Sequence, residues 1–167
     1  MSVYLFGADN SSEPCGIELA TRKNTHIDNF QCRDELTLLM KKDVEKFEKT
    51  YGFGATRRTD ASTLYNCHGL TFACRRAEIN DVESLKLILD EDDYAEVDGA
   101  SVLPGDVMIY FDETGDMLHS AIVVERKVDL LTSIRVVSKW GKGPEYVHNA
   151  YNVPYKFTDA KYFRVQL

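Results

Sequence analysis

The spacing of hydrophobic and polar residues divides the chain into a helical first part and a strand-rich second part. Apolar residues recur at helical spacing over residues 34–49 and again over residues 80–93, which end in an acidic run. In the first of these segments they are Leu36, Leu39, Met40, Val44 and Phe47. The pattern predicts a core-packing helix at residues 34–49, a second helix at residues 80–93 and a loop at residues 94–102.

From residue 103 onward the hydrophobic pattern changes to the two-residue period of β-strands. It predicts strands at residues 107–111, 120–125, 133–139 and 161–166, with a turn at residues 112–116. Short connections between these strands favour antiparallel pairing. Helices followed by strands are typical of an α+β fold in which a helix packs on an antiparallel sheet.

The length of 167 residues and the hydrophobic content of 44% fit one domain over residues 1–167 with its own core. Residues 1–63 are expected to form a helical and loop segment, and residues 64–167 the core. Residues 1–33 are rich in turn signals, with a short strand predicted at residues 3–6. The sequence assigns no function to this first segment.

The charge and hydropathy of the chain exclude some partners. Twenty basic residues against 27 acidic residues give a formal net charge of −7, which argues against nucleic acid or an anionic membrane surface as the main partner. No apolar run is long enough for a membrane span, and the first residues lack the pattern of a Sec signal peptide. The expected location is therefore the cytoplasm, or outside the cell after export without a cleaved Sec signal.

The four cysteines, Cys15, Cys32, Cys67 and Cys74, lack the spacing of a zinc site, and no metal or organic cofactor is expected. Cys15 and Cys32 are the only pair outside the predicted cysteine helix, so a disulfide between them stays open. Cys74 follows Cys67 by about two helical turns, too far for a bridge, and is expected to be a small buried helix residue.

Cys67 has the sequence surroundings of a nucleophile. Asn66 is a cap-type residue, and the apolar residues that follow at helical spacing place Cys67 in the first turn of a helix within residues 64–77. The positive end of the helix dipole and the free N–H groups there favour thiolate over thiol. The same N–H groups suit a developing oxyanion.

His119 directly follows the predicted turn and begins the next strand. Its imidazole is a candidate to take the proton of Cys67 and later to protonate a leaving amine.

Three segments resemble motifs of one enzyme superfamily, the NlpC-type and CHAP-type papain-like peptidases and amidases. The run NCHGL at residues 66–70 resembles their cysteine motif, LPGDV at residues 103–107 their entry into the first core strand, and HSAIVV at residues 119–124 the strand with their catalytic histidine. Their order and spacing match over residues 64–167. The resemblance implies a papain-like (NlpC-type) fold and a thiol hydrolase in which Cys67 and His119 are catalytic.

The family usually has a third polar residue on the next strand, and here the matching positions fall near Ser138 and Lys139, neither of which is a usual orienting residue. His148 is predicted as the third catalytic residue. Ser138, Glu145, Asn149 or no third residue at all are the alternatives.

Side chains near Cys67 are predicted to bind substrate. Adjacent helix residues point about 100° apart, so His68 is badly placed to deprotonate Cys67 and is expected to line the cleft, together with Tyr65 and Trp140. Trp140, Tyr146, Tyr151 and Tyr155 could form an aromatic wall.

The resemblance implies an amide substrate of the peptide or peptidoglycan type, cut by a secreted or injected effector. An inhibitory or immunity protein would then be a further partner. Two other functions stay open: an intracellular cysteine protease, deamidase or acyltransferase acting on a protein, and a catalytically inactive binding domain of the same fold.

Overall fold

The computed structural model describes residues 16–129 and 132–166, so the predicted strand at residues 3–6 and Cys15 lie outside it. The helices are α1 (Leu38–Tyr51), α2 (Cys67–Phe72) and α3 (Val82–Glu91), with a 3-10 turn at Gly99–Ser101. The strands are β1 (Thr56–Arg57), β2 (Tyr94–Val97), β3 (Val107–Phe111), β4 (Met117–Val128), β5 (Thr132–Lys139), β6 (Glu145–Asn149) and β7 (Asp159–Val165). The strands form one antiparallel sheet in the order β1-β6-β5-β4-β3-β7-β2, which confirms the predicted α+β class.

The central strands lie where they were predicted, and the strands that were missed lie toward the sheet edges. β3 has the predicted bounds, whereas β2 occupies residues predicted as a loop and β6 was not predicted. Both lack an apolar period of two. β2 is an edge strand with half-exposed and exposed residues, and β6 buries the polar side chains of Glu145 and His148.

Helix α1 exists as predicted, but it is not a core helix. None of its residues is buried, and Leu38 and Leu39 are 78% and 69% exposed. The helix begins after Thr37, whose hydroxyl accepts a hydrogen bond from the Met40 N–H at 3.3 Å. It lies over the edge of the sheet, where Glu48 accepts a hydrogen bond from the Tyr146 hydroxyl at 2.6 Å. An amphipathic pattern therefore indicated the helix, but not how deeply it packs.

Helix α2 is shorter than predicted. It ends at Phe72 because Cys74 and Arg75 adopt left-handed backbone conformations, with φ of 50° and 65°. Cys74 is exposed, so its predicted burial was wrong. The helix packs over β4 and β5, with Leu70 beside Val137. A Cβ added at Gly69 would lie 1.8 Å from the carbonyl oxygen of Ala77, so only glycine allows this close approach.

The two sides of β4 face different parts of the core. Neighbouring strand residues point to opposite sides of a sheet. Ser120 therefore faces α2, while Ala121 and Val123 join a cluster that includes Tyr110 and Val136. No helix of the described residues is long and apolar enough to cross a membrane.

Candidate active site

Asn66 holds the start of the cysteine helix in place. Its side-chain oxygen accepts hydrogen bonds from the N–H groups of Gly69 (2.8 Å) and Ile79 (3.2 Å), and its amide donates to the Ile79 carbonyl (2.8 Å). The predicted cap is thus confirmed, and it also ties α2 to the chain that returns behind it. Cys67 occupies the first helical position, with a relative exposure of 9%.

Two imidazoles approach the Cys67 thiol. Burial raises the pKa of the thiol, but the charges and polar contacts of His68 and His119 outweigh burial and hold the pKa well below its ordinary value. A lowered pKa favours the thiolate, which is the nucleophilic form.

His68 is closer to the thiol than its place in the sequence suggested. Burial lowers the pKa of His68, but Cys67 and the Met117 backbone raise it by more, so the pKa lies above its usual value. The predicted separation of about 100° concerns the Cα–Cβ directions, and the imidazole extends beyond them. His68 therefore influences the Cys67 thiol by its charge, while the expectation that it is badly placed to deprotonate the thiol stays a prediction.

A chain of hydroxyl groups defines the orientation of His68. The Thr71 hydroxyl donates to the Cys67 carbonyl at 3.0 Å, so at its 3.0 Å contact with Ser120 it accepts the Ser120 proton. The oxygen of Ser120 is then free to accept from Nδ1–H of His68 at 2.9 Å. This arrangement puts a proton on Nδ1 of His68.

His119 is fully buried, and among the described residues neither of its ring nitrogens has a hydrogen-bond partner of normal geometry. Its ring instead lies between two aromatic rings, 4.4 Å from Tyr155 and 5.2 Å from Tyr110 between centroids. An unpaired buried polar group is costly, and such groups are rare outside functional sites. The polar contact that the structure gives this ring is the one with the Cys67 thiol.

The structure does not connect His148 to His119 by a hydrogen bond. Nδ1–H of His148 donates to the Asn149 carbonyl, and its Nε2 accepts from the Ser138 hydroxyl, each at 2.8 Å. Burial is the main cause that lowers the pKa of His148 to about 4, so the ring is neutral. The orienting role of His148 stays a prediction, because no hydrogen bond to His119 supports it. The alternatives Ser138 and Asn149 form hydrogen bonds with His148 itself.

Tyr65 belongs to a polar cluster with the buried Glu145 and Lys139 and the exposed Arg75. The Tyr65 hydroxyl and Nε of Arg75 donate to the same Glu145 oxygen, at 2.7 and 2.6 Å. The ammonium of Lys139 lies 4.9 Å from the centre of the Tyr65 ring and donates to the Ser62 carbonyl at 2.8 Å and to that of Gly143. Burial lowers the pKa of Lys139 to about 8. The Tyr65 hydroxyl and the Glu145 carboxylate are thus occupied by each other and by Arg75.

The predicted aromatic wall is mostly internal. Trp140 is 1% exposed and stacks on Tyr146 with centroids 4.2 Å apart, so it has no face open to a substrate. Tyr151 is 59% exposed, and of the four residues Tyr155 alone has a ring contact with His119 among the described residues. Of the predicted substrate-binding residues, only His68 lies beside the thiol through a side-chain contact in the described structure.

Two concave surfaces lie away from Cys67. One, of about 450 Å³, is lined by residues that include Leu89, Tyr94 and Gln166. The other, of about 560 Å³, lies beside the turn after β3. Within the described ranges, no group of three or more His, Cys, Asp or Glu residues could hold a metal ion.

Sequence reasoning missed Ser120 and Thr71, and it named Lys139 only as a position that matches the family's third polar residue. The serine in HSAIVV is the only detectable signal among these, because a polar residue interrupts an otherwise apolar strand. Comparison of the chain with protein-family models, curated proteins and solved structures finds no match.

Proposed function

We propose that this protein is a cysteine-dependent amide hydrolase, a peptidase or amidase with Cys67 as its nucleophile. One observation carries the proposal: a thiol of lowered pKa at the start of a helix lies beside His119, a buried imidazole with no hydrogen-bond partner of normal geometry among the described residues. Structural cysteines in apolar surroundings have raised pKa values, so this environment favours a reactive role.

In the proposed reaction the two imidazoles have different tasks. The Cys67 thiolate attacks the amide carbonyl, and the backbone N–H of Cys67 stabilises the resulting oxyanion. His68, fixed by Ser120, stabilises the thiolate by its charge. His119 donates the proton that it has taken from Cys67 to the departing amine. It then takes a proton from the water that hydrolyses the thioester.

The fold proposed for this chemistry is a papain-like core of the NlpC type. In its support, a cysteine helix packs on an antiparallel sheet, and the candidate histidine lies near the start of β4. The proposed substrate is a peptide or a peptidoglycan-type amide, with delivery as an effector. A protease, deamidase or acyltransferase acting on a protein would use the same residues.

A catalytically inactive binding domain is the second candidate. Two features favour it: within the described ranges no third residue is hydrogen-bonded to His119, and the thiol is almost completely buried.

The first test is the pH dependence of iodoacetamide labelling at each cysteine, read by peptide mass spectrometry. We expect Cys67 to label with a midpoint below pH 7, whereas Cys32 and Cys74 in the same molecule serve as internal controls. Both His119→Ala and His68→Ala should raise the midpoint by about one unit or more, because each removes a charge that stabilises the thiolate. A wild-type midpoint near 8.5, the ordinary value for cysteine, would support the inactive domain.

A second assay addresses the substrate class. Purified peptidoglycan and a panel of unfolded proteins are incubated with wild type and with Cys67→Ala, and newly released amines are quantified. Release from peptidoglycan by the wild type alone supports the effector function, and release from proteins alone supports the intracellular alternatives.

A further inference from the structure

His119 is held in place without the hydrogen bond that usually orients a catalytic imidazole. Such a bond fixes both the tautomer and the plane of the ring. Here both nitrogens lack a partner among the described residues, and His148, the nearest candidate by sequence, uses its own nitrogens elsewhere. Some other contact must keep the ring of His119 in one orientation.

The ring contacts of His119 supply that constraint. Tyr155 lies against it at 4.4 Å with an angle of 32° between the planes, and Tyr110 packs at 5.2 Å and 43°. A ring between two others cannot rotate about its χ2 bond without a clash. The electron-rich faces of the phenols also attract an imidazolium.

Tyr155 is itself fixed from two further directions. Its hydroxyl oxygen accepts a hydrogen bond from the Gly141 N–H at 2.7 Å, and its ring packs against Phe47 of α1 at 6.4 Å. Tyr110, the other ring, is anchored by its hydroxyl, which donates to the Ala150 carbonyl at 2.6 Å. Both rings are therefore rigid supports.

We propose that Tyr155 is the positioning residue of His119 and replaces, by ring contact, the hydrogen-bonded third residue of the site. The inference rests on the proposed hydrolase function. It places the orienting group on the connection between β6 and β7, and it removes the need for His148 in the reaction.

The test compares three variants by the pH midpoint of Cys67 alkylation. The variants are compared by the midpoint and not by the labelling rate, because removing a ring also opens the thiol to the reagent. That opening alone would change the rate. Tyr155→Leu should raise the midpoint by about one unit, since the freed imidazole no longer keeps the orientation in which it stabilises the thiolate. Tyr155→Phe keeps the ring and should retain the wild-type midpoint.

Phe157→Leu is the matched control. Phe157 belongs to the same connection and packs on Tyr110 at 5.2 Å, so its loss weakens the same region without removing the ring that stacks on His119. Its midpoint should stay at the wild-type value. The groups that face Cys67 and His119 are His68, Lys139, His148, Tyr110 and Tyr155, and the first four are intact in all three variants.

A double variant separates positioning from general destabilisation. In a His119→Ala background, Tyr155→Leu should cause no further shift, because Tyr155 acts through His119. An additional shift there, or a Phe157→Leu shift as large as that of Tyr155→Leu, would overturn the inference.

Histidine side-chain NMR covers the case in which Tyr155→Leu does not fold. In the wild type and in Tyr155→Phe, the His119 ring protons should be displaced upfield by the stacked ring, and their absence from that region would overturn the inference. The two proposals fail differently: an ordinary wild-type Cys67 midpoint refutes the hydrolase, whereas a low midpoint unchanged in Tyr155→Leu refutes only the role of Tyr155.

Discussion

At the scale of single residues, the three histidines near the sheet centre have different environments. His68 has its Nδ1 directed at Ser120, the nitrogens of His119 have no hydrogen-bond partner of normal geometry among the described residues, and both nitrogens of His148 are occupied. The same side chain is therefore suited to stabilising a charge, to moving a proton, or to neutral packing. The environment of each ring, rather than its residue type, assigns the role.

The neutral His148 should make the fold sensitive to acid. The pKa of His148 is lowered to about 4 in the folded protein, against about 6.5 in the unfolded chain. Its contribution to the free energy of unfolding is therefore complete above pH 6.5 and is lost as the pH falls toward 4. The loss amounts to about 3 kcal/mol at pH 4. In His148→Gln, the free energy of unfolding measured in urea should fall less steeply over this range.

The exposed residue His26 provides the control for that measurement, because His26→Gln removes a histidine without changing the buried site. Its stability curve should remain parallel to that of the wild type. Parallel curves for wild type and His148→Gln would contradict a neutral buried His148.

At the scale of elements, α2 depends on a contact that no helical pattern reveals. Gly69 allows the backbone of residue 77 to pass directly behind the helix, and Asn66 binds both segments. These contacts fix the first turn, in which Cys67 lies. A six-residue helix has little stability of its own, so its position comes from this packing.

Gly69→Ala should therefore be severely destabilising. The added methyl group meets the Ala77 carbonyl oxygen, which is backbone and cannot rotate away, and we expect a loss of about 3 kcal/mol despite the better helix propensity of alanine. Gly99→Ala is the control, since its nearest neighbour would be a Tyr162 ring atom at 3.7 Å. Equal urea midpoints for the two variants would show that α2 does not pack this closely.

Sequence reasoning succeeded where a local pattern decides the structure. The apolar run of β3 and the cap at Asn66 are local signals, and the strand and the cap were both confirmed. Sequence reasoning failed where contacts with other segments decide the structure. The end of α2 depends on the left-handed Cys74, and the exposure of α1 depends on what lies beneath it. The contact of His119 with Tyr155 joins positions 36 apart along the chain, which spacing alone cannot predict.

At the scale of the whole molecule, an ion pair between a buried aspartate and a half-buried arginine joins the entry of β3 to β7. Asp106, 3% exposed, accepts two hydrogen bonds from Arg164, each at 2.7 Å, and a third from the Leu103 N–H at 2.7 Å. The same guanidinium donates to the Ser101 carbonyl at 2.9 Å. The proline-glycine-aspartate turn, read from the sequence as a family motif, thus has a structural role in this chain.

Asp106→Asn should lower the free energy of unfolding by about 2 kcal/mol at pH 7, because two charge-assisted hydrogen bonds are weakened. Burial raises the pKa of Asp106, but the hydrogen bonds from Arg164 and Leu103 lower it by more, so the pKa lies below its ordinary value. Stability from a carboxyl of lowered pKa is present above the unfolded value of about 3.9 and is lost as the pH falls through the folded value. The difference between wild type and Asp106→Asn should therefore shrink below about pH 4.

Glu96→Gln offers the same change of charge in an exposed pair with Lys161, and there we expect a loss below about 1 kcal/mol. The measurement is urea unfolding of the wild type, Asp106→Asn and Glu96→Gln between pH 7 and pH 3. If Asp106→Asn costs no more than Glu96→Gln at pH 7, the bidentate pair does not hold β3 to β7 in solution. The pairing of β3 with β7 would then rest on its backbone ladder and on the packing of Tyr162 with Met108 and Tyr110.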